Sequence, residues 1–140
     1  MRYGARQAYF ETGILQADPI ELVSLLYRGA IEAIAKARVS LKAGDIRERS
    51  RQITKACEIL NELAGAVDRE QGGELSAALV QLYDYIQRLL LDANFRQADP
   101  PLAEAENLLA TILEGWEGIA RAAILAPPPD NTHPASLSAV

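Results

Sequence analysis

At 140 residues and 49% hydrophobic content, the chain is long enough for one domain with a sizeable core. A net charge of −5 excludes a nucleic-acid binder, which needs a basic stripe to replace counterions on phosphates. No apolar run reaches the roughly 18 residues of a membrane span, the opening MRYGARQAYF has no signal-peptide core, and the single cysteine, Cys57, allows no internal disulfide; all three fit a cytoplasmic protein without membrane insertion.

Residues 1–17 read as a semi-apolar arm carrying Tyr3, Tyr9, Phe10, Ile14 and Leu15. Residues 18–125 read as four helices. The first opens at Asp18-Pro19-Ile20-Glu21, where Asp18 caps, Pro19 suits the first helical position and Glu21 completes a capping box. Its stripe is Leu22, Leu26, Ala30, Ala33 and Ala37, and Gly44 stops it. The second opens at Asp45, with Glu48 three residues on and a stripe of Ile53, Ala56, Leu60, Leu63 and Val67. After Gly72-Gly73 the third carries Leu79, Leu82, Ile86, Leu89 and Ala93. The fourth opens at Asp99-Pro100-Pro101 and carries Leu102, Ala105, Leu109, Ile112, Trp116, Ile119 and Ala123. Links this short make neighbouring long helices antiparallel. The expected fold is therefore all-α: an up-down-up-down four-helix bundle, with an N-terminal apolar arm and a disordered Pro-rich tail over residues 126–140. Leu60, Leu82, Ile86, Leu109 and Trp116 are expected to be buried.

Catalytic and metal chemistry have little to work with. His133, the only histidine, sits in the Pro-rich tail. A di-iron bundle needs Glu-x-x-His on facing helices, and zinc needs several Cys or His ligands. Cys57 lies beside the second stripe with no helical histidine to activate it, so it reads as a structural thiol. No enzyme, metal site or cofactor is expected. Arg47, Arg49, Arg51, Lys55, Glu58 and Glu62 read first as solvated helix surface, with a partner-docking surface as the alternative.

Residues 79–100 exceed what a plain bundle needs. Tyr83 and Tyr85, two apart on a helix, point to nearly opposite flanks of the third stripe. The Leu82-Tyr83-x-Tyr85 run, Leu89, the Ala93-Asn94 pair and Asp99 resemble the third-helix signature of the FliS-type flagellar secretion chaperones. Supporting pieces follow in family order. They are Tyr9, Ile14 and Ala17-Asp18-Pro19; Glu21-Leu22 and Leu26-Tyr27-x-Gly29-Ala30; Lys55-Ala56-x-x-Ile59-Leu60-x-x-Leu63; Gly72-Gly73-Glu74-Leu75; and Leu108-Leu109, Ile112 and Trp116. The likeness spans about residues 3–125. Gln16 stands where the family usually has Thr, Asp18 where it has Ser, and Arg28 where an acidic residue is common; the tail lies outside the pattern.

The resemblance implies a cytoplasmic chaperone that binds the disordered C-terminal segment of flagellin, prevents premature polymerisation and delivers it to the flagellar type III export apparatus, with an export-gate component as a further partner. A self-associating helical structural or adaptor protein is the alternative. The first and third helices carry surplus apolar residues, among them Val23, Tyr27, Ile31, Ile34, Val39, Tyr83, Leu90 and Leu91. Tyr27 and Tyr83 are the candidates to border a client groove, with Leu22, Val23 and Leu90 as further contacts; Tyr85 is assigned to a neighbouring helix. From periodicity alone Tyr27 reads equally as a boundary residue or a groove residue. Tyr9, Phe10, Ile14 and Leu15 are expected to cover the groove in the free protein.

Overall fold

The structure, a computed structural model, describes residues 19–70 and 73–125. Asp18, the arm with Tyr9, Phe10, Ile14 and Leu15, Gly72 and the tail lie outside the described residues, as do the side chains of Val67 and Ala123.

Four helices make up the described chain: α1 Pro19–Ala43, α2 Ile46–Glu70, α3 Gly73–Arg96 and α4 Asp99–Leu125. At 24 to 27 residues, each runs about 36–40 Å. α1 packs on α2, α2 on α3, α3 on α4, and α4 closes the ring on α1, so α1/α3 and α2/α4 are the diagonals. Cross-helix contacts fix the directions. The late α1 residue Arg38 meets the early α4 residues Asp99 and Glu106, Arg28 meets Glu117, and early-α2 Arg49 meets late-α3 Asn94. This is the antiparallel four-helix bundle expected from the sequence.

The links are made by local chemistry. At the end of α1, Gly44 takes φ +75°. Its N–H donates to the Leu41 carbonyl at 3.1 Å while the Asp45 N–H donates to Ser40 O at 2.9 Å. These paired bonds close the helix around a left-handed residue that glycine tolerates without strain. Asp45 then caps α2 by accepting the Glu48 N–H at 3.1 Å. No reciprocal capping box forms, because the Asp45 N–H is already committed to Ser40; the Glu48 carboxylate instead accepts from Arg51 and Gln52. α3 closes through Ala98 N–H on Ala93 O, with Gln97 at φ 54°. Pro100 and Pro101 fall in the first turn of α4, where missing N–H groups have no intrahelical partner to lose.

The core follows the stripes, with two corrections. Leu60, Ile86 and Leu109 are fully buried, but Leu82 and Trp116 are only half-buried. On α3 the buried side chains are Ser76, Tyr83, Ile86, Leu90 and Ala93. Residues 83, 86, 90 and 93 obey the same three-four rhythm as the expected stripe, so periodicity admits both phases. Packing selects the phase that buries the larger phenol ring, and Leu79, Leu82 and Leu89 become its flanks. On α4 the buried series runs Leu102, Ala105, Leu109 and Leu113, and Ile119 is exposed. Trp116 already stands level with Ile20, donating Nε1–H to its carbonyl at 3.3 Å, so Ile119 lies beyond the start of α1.

Candidate functional site

Four of the five residues singled out as client contacts are interior. Val23, Tyr27, Tyr83 and Leu90 have at most 1% of their surface exposed, and Leu22 is half-buried at the edge. Tyr27 and Tyr83 meet across the α1/α3 diagonal. Their hydroxyls are hydrogen-bonded to each other, and their rings form an edge-to-face pair with centroids 6.2 Å apart and planes at 63°. This geometry suits the ring quadrupoles and gives each buried hydroxyl a partner. Burial pushes the Tyr27 phenol far above its usual range, helped by the bond to Tyr83. Burial likewise raises Tyr83, partly offset by its bond to Tyr27. The pair is neutral and inward-facing, a clamp between opposite helices, and neither ring presents an edge to a partner in this conformation. Tyr85 points outward, as the two-residue spacing requires, and its hydroxyl donates to Glu104 of α4 at 2.6 Å.

The accessible chemistry lies on the two faces between helices. Along the α1–α4 seam run two depressions in line. One, of about 530 Å³, is lined by Ala35, Val39 and Leu41 with Arg38, Lys42, Asp99 and Glu106 around them. The other, of about 310 Å³, is lined by Ile31, Ala110, Thr111 and Leu113 with Glu114 and Glu117. Alanine at 35 and 110 leaves the space, since a short side chain cannot fill the groove between two helices. Val39 stands 70% exposed at its rim. Ion pairs stitch the seam: Arg38 donates to both Asp99 oxygens at 2.8 and 3.0 Å and to Glu106 at 2.8 Å, and Arg28 pairs with Glu117. The Arg38 hydrogen bonds hold the Asp99 carboxyl below the usual carboxylate range.

The α2–α3 seam is closed differently. Arg49 is not solvated surface; it is 4% exposed. Its Nε donates to Asn94 Oδ1 at 2.8 Å and its terminal nitrogen to the Asn94 carbonyl at 3.4 Å, while Ser50 Oγ donates to Oδ1 at 3.3 Å. A guanidinium at the last turn of α3 answers the carbonyls that end a helix. In the sequence Asn94 stands out only through the family resemblance; its physical task is to receive Arg49. Higher up, Gln87 donates to Asn61 at 3.0 Å.

Among the described residues no group of three or more His, Cys, Asp or Glu gathers as a metal site, and no helix is long and apolar enough to cross a membrane. Burial and the neighbouring Glu58 charge push the Cys57 thiol up to about 11, which makes it a poor nucleophile.

The profile of the family described as flagellar protein FliS matches residues 1–123. The chain is 38% identical over 114 residues to the flagellar secretion chaperone FliS of Salmonella typhimurium, covering 81% of this chain and 84% of that protein. It is 36% identical to the flagellar secretion chaperone FliSB of Pseudomonas aeruginosa, covering 81% and 90%. With FliS of Bacillus subtilis the identity is 31%, covering 79% and 81%. Chaperoning, the role these names give, is not an enzymatic one. The chain belongs to the FliS family of flagellar proteins.

Proposed function

We propose that this protein is a cytoplasmic export chaperone that holds the C-terminal segment of flagellin before polymerisation and hands it to the flagellar type III export apparatus through a contact at the export gate. Family membership carries the reading: the relatives are named flagellar secretion chaperones. The physics is coherent with it. A client segment that buries its apolar residues only in the polymer is an aggregation hazard as a monomer, and ordering it on a helical surface lowers the affinity gained per unit area.

The α1–α4 face suits such a client best. Its two depressions follow one seam, with Ile31, Ala35, Val39, Ala110 and Leu113 supplying apolar contact and paired charges supplying a rim. An amphipathic helix laid along that seam would use one turn per depression. Tyr27, Tyr83, Val23 and Leu90 then act as the rigid interior that keeps α1 in place, and Leu22 as an edge contact. Tyr9, Phe10, Ile14 and Leu15 act as a tethered cover of the apolar surface, competing with client at an effective concentration on the order of millimolar.

Titration of the full chain with a flagellin C-terminal peptide tests the reading. Saturable binding is expected, with amides around residues 9–15 losing protection from hydrogen exchange as the peptide is added. No binding would overturn the client assignment. Binding with unchanged or increased protection would overturn the cover alone.

A further inference from the structure

The fourth helix has two unlike halves. From Asp99 to Leu113 it is pinned by the buried series Leu102, Ala105, Leu109 and Leu113 and by Arg38 on Asp99 and Glu106. After Leu113 none of its described side chains is buried, and Trp116 packs only partly against the core. Two polar contacts tie this half to α1: the Trp116 Nε1–H on the Ile20 carbonyl and the part-exposed Arg28–Glu117 pair.

Gly115 and Gly118 stand in the same half, one turn apart in an unbroken helix. Packing does not require them, since a methyl group at either position would meet nothing within 4 Å. Nor does a turn, because the helix runs on to Leu125. Each glycine lowers the local helix equilibrium about fivefold relative to alanine, through the backbone freedom it gives up. The last turn carries no basic side chain to answer the helix dipole. Trp116 and Glu117 lie between the two glycines, so their contacts with α1 are lost together when that stretch unwinds.

The place of this weakness matters. Leu113, Glu114 and Glu117 line the smaller depression of the α1–α4 seam, opposite Ile31. Its α4 wall therefore begins where the helix loses its burial. The larger depression is bounded by Asp99 and Glu106, on the pinned half. We propose that residues 114–125 open and close as one unit about Gly115 and Gly118, with Trp116 on Ile20 as the latch, and form a movable wall of the smaller depression. Opening widens that depression for an entering segment, and closure brings Glu114 and Glu117 back against it. The bundle up to Leu113 stays closed throughout. The role toward client rests on the reading of the α1–α4 face given above; the opening itself does not.

Native-state hydrogen exchange of the full chain tests the proposal. Amides of residues 118–122 are expected to share one protection level, at least tenfold below that of residues 106–113. Low urea should leave that level unchanged, because a local opening exposes little surface. Gly115→Ala combined with Gly118→Ala should raise it roughly twentyfold, the product of two alanine-for-glycine factors. Trp116→Phe, which keeps a ring and removes the N–H, should lower it. A smooth fall in protection toward Leu125 would mean ordinary fraying, and protection equal to that of residues 106–113 would mean one rigid helix; either overturns the proposal. So does unchanged protection in the double alanine variant. A saturating flagellin C-terminal peptide separates the two readings. The level of residues 118–122 should rise as bound client holds the wall closed, and a bound peptide that leaves it unchanged overturns the wall. No binding would overturn the client reading and the wall with it, while the step after Leu113 in the free chain would still decide the hinge.

Discussion

The α1–α4 and α2–α3 seams are opposite faces of one bundle, and they are held by different chemistry. The first is laced by part-exposed ion pairs over alanines and keeps open depressions. The second is locked by a buried arginine on an asparagine and carries its apolar surface outside the lock. Exposed pairs contribute little to stability because water and salt screen them, whereas a buried guanidinium stripped of its partners is strongly destabilising. The difference separates what the two seams tolerate: the first can lose its surface ion pairs at small cost to the fold, while the second holds the ring of helices together.

The largest expected effect lies between the two seams. Tyr83→Ala removes a fully buried ring and should destabilise the fold by about 3–5 kcal/mol in urea unfolding. Asn94→Ala tests the α2–α3 lock. It removes the side-chain acceptor of the buried Arg49 Nε, leaving only the bond to the Asn94 backbone carbonyl, and should cost about 2–3 kcal/mol, while Arg38→Gln on the other seam should cost under about 1 kcal/mol. Equal losses would erase the contrast.

The tyrosine clamp is sharpened by a double-mutant cycle. Tyr27→Phe and Tyr83→Phe should each cost about 1–2 kcal/mol, because each leaves the other hydroxyl unpaired. The double variant should cost less than the sum. Additive losses would mean that the hydroxyls act independently.

Acid should loosen the α1–α4 seam. Asp99 has a folded-state pKa below its ordinary 3.8, so the unfolded chain binds its proton first as pH falls. Its contribution is fully present above the unfolded value and is lost as pH falls through the folded one. The melting-temperature gap between the protein and Asp99→Asn should therefore shrink as pH is lowered from about 5 toward 2; a constant gap would deny the ion pair its role. The smallest effect concerns Cys57. With its thiol near 11, alkylation of the native protein at neutral pH should be slow and should rise steeply only in strong alkali.

Much of this architecture is legible in the sequence. Helix starts and stops rest on local chemistry at Gly44, Asp45 and Asp99-Pro100-Pro101, and local chemistry is what a sequence displays. The phase of α3 is not legible in the same way, since Leu82 and Tyr83 both belong to acceptable stripes. Only the fit of a phenol against Tyr27, 56 residues away, decides between them. The same ambiguity reaches the site: by periodicity Tyr83 is surplus to the core, and in the fold it is fully buried within it. Arg49 was hidden among neighbouring charges, because its burial depends on Asn94 from another helix. Gln97 shows the reverse case, a left-handed residue without glycine's signal.

The contrast between the seams is tested most directly by calorimetric titration of a flagellin C-terminal peptide into the full chain and two folded variants. Val39→Asp replaces an apolar contact at the rim of the α1–α4 depression by a charge and should weaken binding by tenfold or more, on the order of 1.4 kcal/mol. Phe95→Ser, on the opposite seam, should leave the affinity unchanged. Unchanged binding in Val39→Asp together with lost binding in Phe95→Ser would contradict the account and move the client to the α2–α3 face.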